Sequence, residues 1–155
     1  MKLKKIYDVL TPIPLGNWVV NRCFSLAVPY SGTVRPRIIE LREGFCHVSI
    51  KDRRRIRNHL RSVHAIALMN LGEMITGLPL TYALPEKARA ILTHIEMDYK
   101  KKARGELHGY CRFTLEKEDY EQEEMELTGE IQDKQGDIVA VSRAIWRVDT
   151  TEKES

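Results

Sequence analysis

The spacing of apolar and polar positions changes character three times along the chain. From about Gly16 to Val28, Trp18, Val19, Phe24, Leu26 and Ala27 fall at mixed helical spacing, bracketed by Pro12, Pro14 and Pro29, and predict a first helix. After the turn-rich Pro29–Gly32 come two extended segments, Arg37–Glu43 and Phe45–Lys51. In the second, Cys46, Val48 and Ile50 alternate with His47, Ser49 and Lys51, and Gly44 is the natural turn between the two. His64–Gly77 is apolar nearly all round, which predicts an enclosed helix closed by Gly77 and then Pro79. Small residues at Ala65, Ala67 and Gly72 would let neighbouring elements approach it closely.

Beyond that helix the period becomes two. Ile91, Thr93, Ile95, Met97 and Tyr99 alternate with Leu92, His94, Glu96 and Asp98; Leu107, Cys111, Phe113 and Leu115 follow the same rule, as do Met125, Leu127, Gly129 and Ile131. A last strand, Ile138–Val148, follows the turn signal Asp133–Asp137. Two strands, one helix and four more strands joined by short turns make an α+β chain on a largely antiparallel sheet of about six strands. A curved sheet wrapped round the helix would enclose it, with the extra N-terminal helix outside. One domain over residues 1–155 is expected from the length, ending in a polar, frayed tail from Asp149 to Ser155.

Charge changes this picture only locally. Lys and Arg exceed Asp and Glu by 25 − 22 = 3, too mild an excess for nucleic-acid binding by the chain as a whole. Positive charge gathers at Lys51–Arg61 and Lys100–Arg104, whereas Glu116–Glu126 is acidic and reads as a solvated turn. The three cysteines, Cys23, Cys46 and Cys111, are odd in number and far apart, as in a reduced cytoplasmic protein. The basic N-terminus lacks the apolar run of a signal peptide, and no segment approaches the roughly 18 apolar residues that cross a bilayer. No membrane partner is expected, and no metal, because the histidines and cysteines lack zinc-ligand spacing.

The candidate chemistry lies between Asn58 and Gly77. Glu73 stands alone among Ile66, Leu68, Met69, Leu71, Met74 and Ile75, and an ionised carboxylate is costly to bury unless paired or employed. A basic or amide partner would make it structural; the lack of one would make it functional. Asn58 alone reads as a turn residue and His64 alone as a helix-start residue. If one straight helix held both His64 and Glu73, nine residues at about 1.5 Å and 100° each would set them roughly 13 Å and half a turn apart. One chain cannot readily use both in one site; a two-fold dimer can.

Asn58, His64 six positions later and Glu73 nine beyond that, set on a helix followed by antiparallel strands, resemble the hotdog-fold acyl-CoA thioesterases of the PaaI-like branch. The resemblance covers roughly Arg37 to Val148. It implies a catalytic carboxylate at Glu73, acting as general base on water or as nucleophile. It also implies Asn58 placing the water or carbonyl, His64 holding the carbonyl region, and the backbone N–H of Ala65 polarising the thioester oxygen. The family usually has Gly after the His, so the Ala65 methyl is a departure that leaves the amide donor available. Thr93 is the nearest match to a polar residue often found on the following strand.

The resemblance further implies a homodimer with shared sites, or a dimer of dimers, and coenzyme A as part of the substrate rather than a resident cofactor. Arg53, Arg54, Arg55 and Arg57, with Lys101 and Lys102 as an alternative rim, would then contact its phosphates. A hotdog acyl-thioester dehydratase, a non-catalytic acyl-CoA-binding module and a basic-patch nucleic-acid binder remain the competing readings. Acyl chain length and the choice between coenzyme A and an acyl carrier protein stay open.

Overall fold

The computed structural model describes residues 3–85, 88–115 and 120–149. Three helices open the chain, α1 (Leu3–Leu10), α2 (Gly16–Ala27) and α3 (Pro29–Val34). Strands β1 (Arg37–Arg42) and β2 (Phe45–Lys51) and a single 3₁₀ turn (Arg54–Ile56) follow. The long α4 (Ala65–Ala83) then leads into β3 (Arg89–Tyr99), β4 (Glu106–Arg112), β5 (Glu123–Gln132) and β6 (Ile138–Asp149).

The six strands form one antiparallel sheet in the order β1-β2-β4-β5-β6-β3. The β1–β2 hairpin turns at Gly44, whose φ is +67° and whose position could not take a Cβ without meeting the Phe113 carbonyl oxygen at 2.2 Å. Helix α4 lies against this sheet, with Leu71, Ile75 and Leu80 wholly enclosed together with Val48, Ile50, Leu107 and Ile131. Glycines set that distance. A Cβ at Gly129 would meet Ile75 Cδ1 at 2.6 Å and one at Gly72 would meet Ser142 Cβ at 2.8 Å, so helix and sheet touch through backbone.

The expected α+β architecture and number of strands are present, and several details differ. Helix α4 runs past Gly77 and Pro79 to Ala83. Gly77 serves close contact with the Trp146 ring instead of a cap, and buried Pro79 is carried inside the helix by the packing around it. The helix ends where Leu84 turns extended (φ −71°, ψ 152°), which is the conformation imposed on the residue before Pro85. The segment Pro29–Val34 is a short helix rather than a turn, started by Pro29 at its first position.

Helix α1 is the third difference. It is held by Tyr7, whose buried hydroxyl accepts from the Leu41 N–H (3.0 Å), and by Asp8, which accepts from Tyr82 Oη (2.6 Å). The fourth lies in β3, where a bulge between Leu92 and His94 shifts the inward phase from Leu92 to Ile95 and Met97, leaving Ile91 and Thr93 exposed. The acidic segment is partly strand, since β5 begins at Glu123; residues 116–119 and the tail from 150 lie outside the described residues. Among the described residues no helix is long and apolar enough to cross a membrane.

Candidate active site

The loop before α4 is organised by Asn58. Its Oδ1 accepts from the N–H of Leu60 (2.9 Å), the N–H of Ser62 (3.2 Å) and Ser62 Oγ (3.1 Å), and its own N–H donates to the Ser62 carbonyl (2.9 Å). This turn carries the chain through Arg61, at φ 55°. The Asn58 carbonyl oxygen is therefore committed to the loop, and the amide Nδ2 is the group left to meet a ligand. The loop is clamped on both sides of the helix start, by Val63 N–H on the Ala103 carbonyl (2.8 Å) and His64 N–H on the Ile56 carbonyl (2.7 Å).

His64 is the N-cap of α4. Its Nδ1 accepts from the Ile66 N–H at 3.1 Å, which puts the ring proton of the neutral imidazole on Nε2, and the side chain is exposed. The N–H groups of Ala67 and Leu68 donate to the His64 carbonyl (2.9 and 3.1 Å). That leaves the Ala65 N–H, among the described residues, as the donor of the first turn without a partner. It points out of the positive end of a 19-residue helix. The Ala65 carbonyl accepts from Tyr99 Oη (3.1 Å), tying the end of β3 to this corner.

Glu73 sits two and a half turns further along α4. Its side chain reaches the surface of the single chain and forms no ion pair or side-chain hydrogen bond among the described residues. Its apolar surroundings hold the carboxyl above the usual carboxylate range, burial being the cause. The structural alternative, a carboxylate held by a basic or amide neighbour, is thus not what the fold provides. Glu73 lies at a cavity of about 330 Å³ lined by Tyr7, Val20, Phe24, Leu78 and Trp146 among others. Trp146 is fixed there by its Nε1–H on Thr76 Oγ1 (3.2 Å). The cavity's roof comes from α1, α2 and α3, which the strand-and-helix pattern did not tie to the site; the helical spacing of Ile6, Tyr7 and Leu10 was the available signal.

The chain brings Asn58, His64 and the Ala65 N–H together at one end of α4 and leaves Glu73 apart, half a turn around and about 13 Å along the helix. Thr93 is exposed, with its Oγ1 donating to the Ile145 carbonyl (3.1 Å), and belongs to neither group.

The basic candidates separate as well. Arg57 grips Asp52 (2.6 and 3.3 Å), and Lys101 is held by Asp133 (2.8 Å) and Asp137 (2.7 Å), so neither is a free cation. Arg53 donates to the Thr33 carbonyl (3.1 Å), and burial followed by the nearby Arg35 and Arg55 charges lowers its pKa. Arg54, Arg55 and Lys102 are exposed and without partners among the described residues. On β2 and β4, His47 Nε2 and His108 Nδ1 lie 3.0 Å apart beside Tyr110, a cluster the strand alternation hid. Among the described residues no group of three His, Cys, Asp or Glu side chains is placed to hold a metal ion.

The family profile described as "Domain of unknown function (DUF4442)" matches residues 16–148. Among curated proteins none matches the chain. Solved structures do. A structural-genomics protein shares 20% identity and a TM-score of 0.83, over 96% of this chain and 99% of that one. A Pseudomonas aeruginosa protein of unknown function described as a probable thioesterase shares 18% identity and a TM-score of 0.76, over 88% and 96%. The Escherichia coli PaaI protein from the phenylacetic acid degradation operon shares 16% identity and a TM-score of 0.68, over 84% and 91%. At these identities the likeness establishes the fold, which is the hotdog fold.

Proposed function

From the premise that the chain belongs to the DUF4442 family and has the hotdog fold, we propose that it is a thioester hydrolase acting on acyl-CoA. The observation that carries this reading is Glu73: the one charged side chain of α4, a carboxylate with a raised pKa and no partner among the described residues, beside an apolar cavity able to take an acyl group. The name of the similar Pseudomonas aeruginosa protein, a probable thioesterase, agrees with it.

In this reading Glu73 of one subunit meets Asn58, His64 and Ala65 of another. The acyl group occupies the cavity behind Glu73. Glu73 takes a proton from water as the water oxygen attacks the thioester carbon, or attacks that carbon itself to form an anhydride that water then opens. The carbonyl oxygen, becoming an oxyanion, accepts from the Ala65 N–H and from His64 Nε2–H, donors already oriented by the helix start. Collapse breaks the carbon–sulfur bond, the thiolate leaves and takes up a proton, and the acid and free coenzyme A result. Asn58 Nδ2 orients the water or the carbonyl. Exposed Arg54 and Arg55 meet the coenzyme A phosphates; Arg57 and Lys101 are replaced in that role because their charges are already neutralised.

The test is release of free thiol from short, long and aromatic acyl-CoAs. Glu73→Gln should fold and lose about 10²–10⁴ in turnover, the scale of a lost general base; unchanged turnover in the folded variant overturns the assignment. Sharing between chains is tested by mixing Asn58→Ala with Glu73→Ala under subunit exchange. Half the dimers then mix and half their sites are intact, so about a quarter of the activity returns by two-fold counting. No recovery, with mixed dimers demonstrated, rejects the shared site.

A further inference from the structure

We propose that the outer face of the N-terminal helices docks on an anionic phospholipid surface. The side chains that would sit at the bilayer follow one stripe of α2. Trp18, Arg22 and Leu26 are spaced four residues apart, so they share a face, and Leu15 stands just before the helix in the left-handed conformation (φ 66°). All three apolar side chains are turned outward, with Leu15 79%, Trp18 64% and Leu26 77% exposed. Burying these side chains in the core would have stabilised the fold; instead α2 buries only Gly16 and Val20. Of the 13 large apolar side chains exposed among the described residues, seven lie before residue 31. Of these, Trp18 and Leu26 line one groove, and contiguous exposed apolar surface is the mark of an interaction site.

Charge selects the occupant. Trp18, Arg22 and Leu26 line a single groove with Arg35 and Arg53, so apolar and cationic groups are interleaved on one surface. Residues 1–35 hold five Lys and Arg against one acid, Asp8, and that acid is engaged by Tyr82. Arg53 stands close enough to Arg35 for their like charges to matter. In a symmetric contact with a second copy this patch would meet itself and gather both copies of Arg22, Arg35 and Arg53 in one interface. An anionic bilayer complements both halves of the pattern. Leucine and the indole enter the headgroup region, and the guanidinium groups stay at the phosphates. Docking of this kind needs no membrane-spanning segment.

The experiment uses the full chain with phosphatidylcholine vesicles, with and without phosphatidylglycerol. Co-sedimentation should occur only with the anionic lipid and weaken as salt is raised. Trp146 is already buried, so a blue shift of the indole emission on binding reports Trp18. Leu15→Ser with Leu26→Ser should lower binding at least about tenfold, since each loses the burial of a leucine side chain. Arg22→Ser with Arg35→Ser should lower it about 25-fold, two charges near an anionic surface at about fivefold each. Both pairs lie at the surface and should keep the wild-type melting temperature. No binding to anionic vesicles at low salt overturns the proposal. So does binding untouched by the leucine substitutions, which would be adsorption by charge alone. An oligomer dissociated by those substitutions also overturns it, because a second copy would then cover the patch.

Discussion

Gly77→Ala tests the packing on which the cavity beside Glu73 depends. In an ordinary helix interior the change stabilises by about 1 kcal/mol, because glycine gives up more backbone freedom than alanine. Here the new Cβ would stand 2.7 Å from Trp146 Cη2 and 2.8 Å from Cζ2, where carbon atoms prefer about 3.5–4.0 Å. The indole must yield by nearly an ångström, yet it is buried and its Nε1–H is bonded to Thr76 Oγ1 at 3.2 Å. Overpacking of this kind costs about 1–3 kcal/mol, and straining the hydrogen bond about 1 more. The balance is a loss of about 1–3 kcal/mol, or roughly 2–12 °C in Tm at this chain length. The displaced indole would also move into the cavity that Trp146 and Gly77 both line, so hydrolysis of bulky acyl groups should fall more than that of small ones. Thermal melting followed by tryptophan emission and circular dichroism measures the first effect, and kcat/KM across an acyl series the second. A Tm equal to or above wild type would refute the reasoning, since propensity alone would then govern the position.

Because burial holds the Glu73 carboxyl above the ordinary range, its ionisation works against the fold as pH rises through that raised value. Glu73→Gln should therefore be at least as stable as wild type at neutral pH, and the acid limb of wild-type activity should lie above the ordinary glutamate range; equilibrium unfolding and a pH–rate profile check the two. The His47 pKa is lowered, first by burial and then by His108, so the unfolded chain takes the proton more readily. Stability is then complete above about pH 6.5 and is lost as pH falls toward the lower folded value. Unfolding titrations from pH 7 to 5 should show that loss, and His47→Phe should reduce it. Arg54→Ser with Arg55→Ser should raise KM for acyl-CoA with kcat nearly intact, because contacts remote from the thioester give uniform binding. An equal loss on an acyl-pantetheine lacking the nucleotide would remove the phosphate role.

Much of this molecule can be read without coordinates, because the information is local. Alternation in Ile138–Val148 follows from a strand with one face on a core, and the largely apolar run Ile66–Ile75 from a helix packed against a sheet; in Phe45–Lys51 the alternation is present but Ser49 is buried as fully as Val48 and Ile50, so both faces of that strand are covered. The spacing of Asn58, His64 and Glu73 likewise sufficed to place two groups at a helix start and one on its far side. What the pattern could not carry was the outcome of competition between local preference and packing. Gly77 and Pro79 look like a helix end until Trp146 needs the missing Cβ and the core takes Pro79, so the stop falls to Pro85. Alternation through Thr93 looks unbroken until a bulge in β3 reverses it. The charges of Arg57 and Lys101 look available until Asp52, Asp133 and Asp137 are found against them. The roof over the Glu73 cavity comes from residues that precede Glu73 by more than forty positions. Only the folded chain decides which distant residues meet, because the free energy of each such contact depends on partners that sequence spacing does not name.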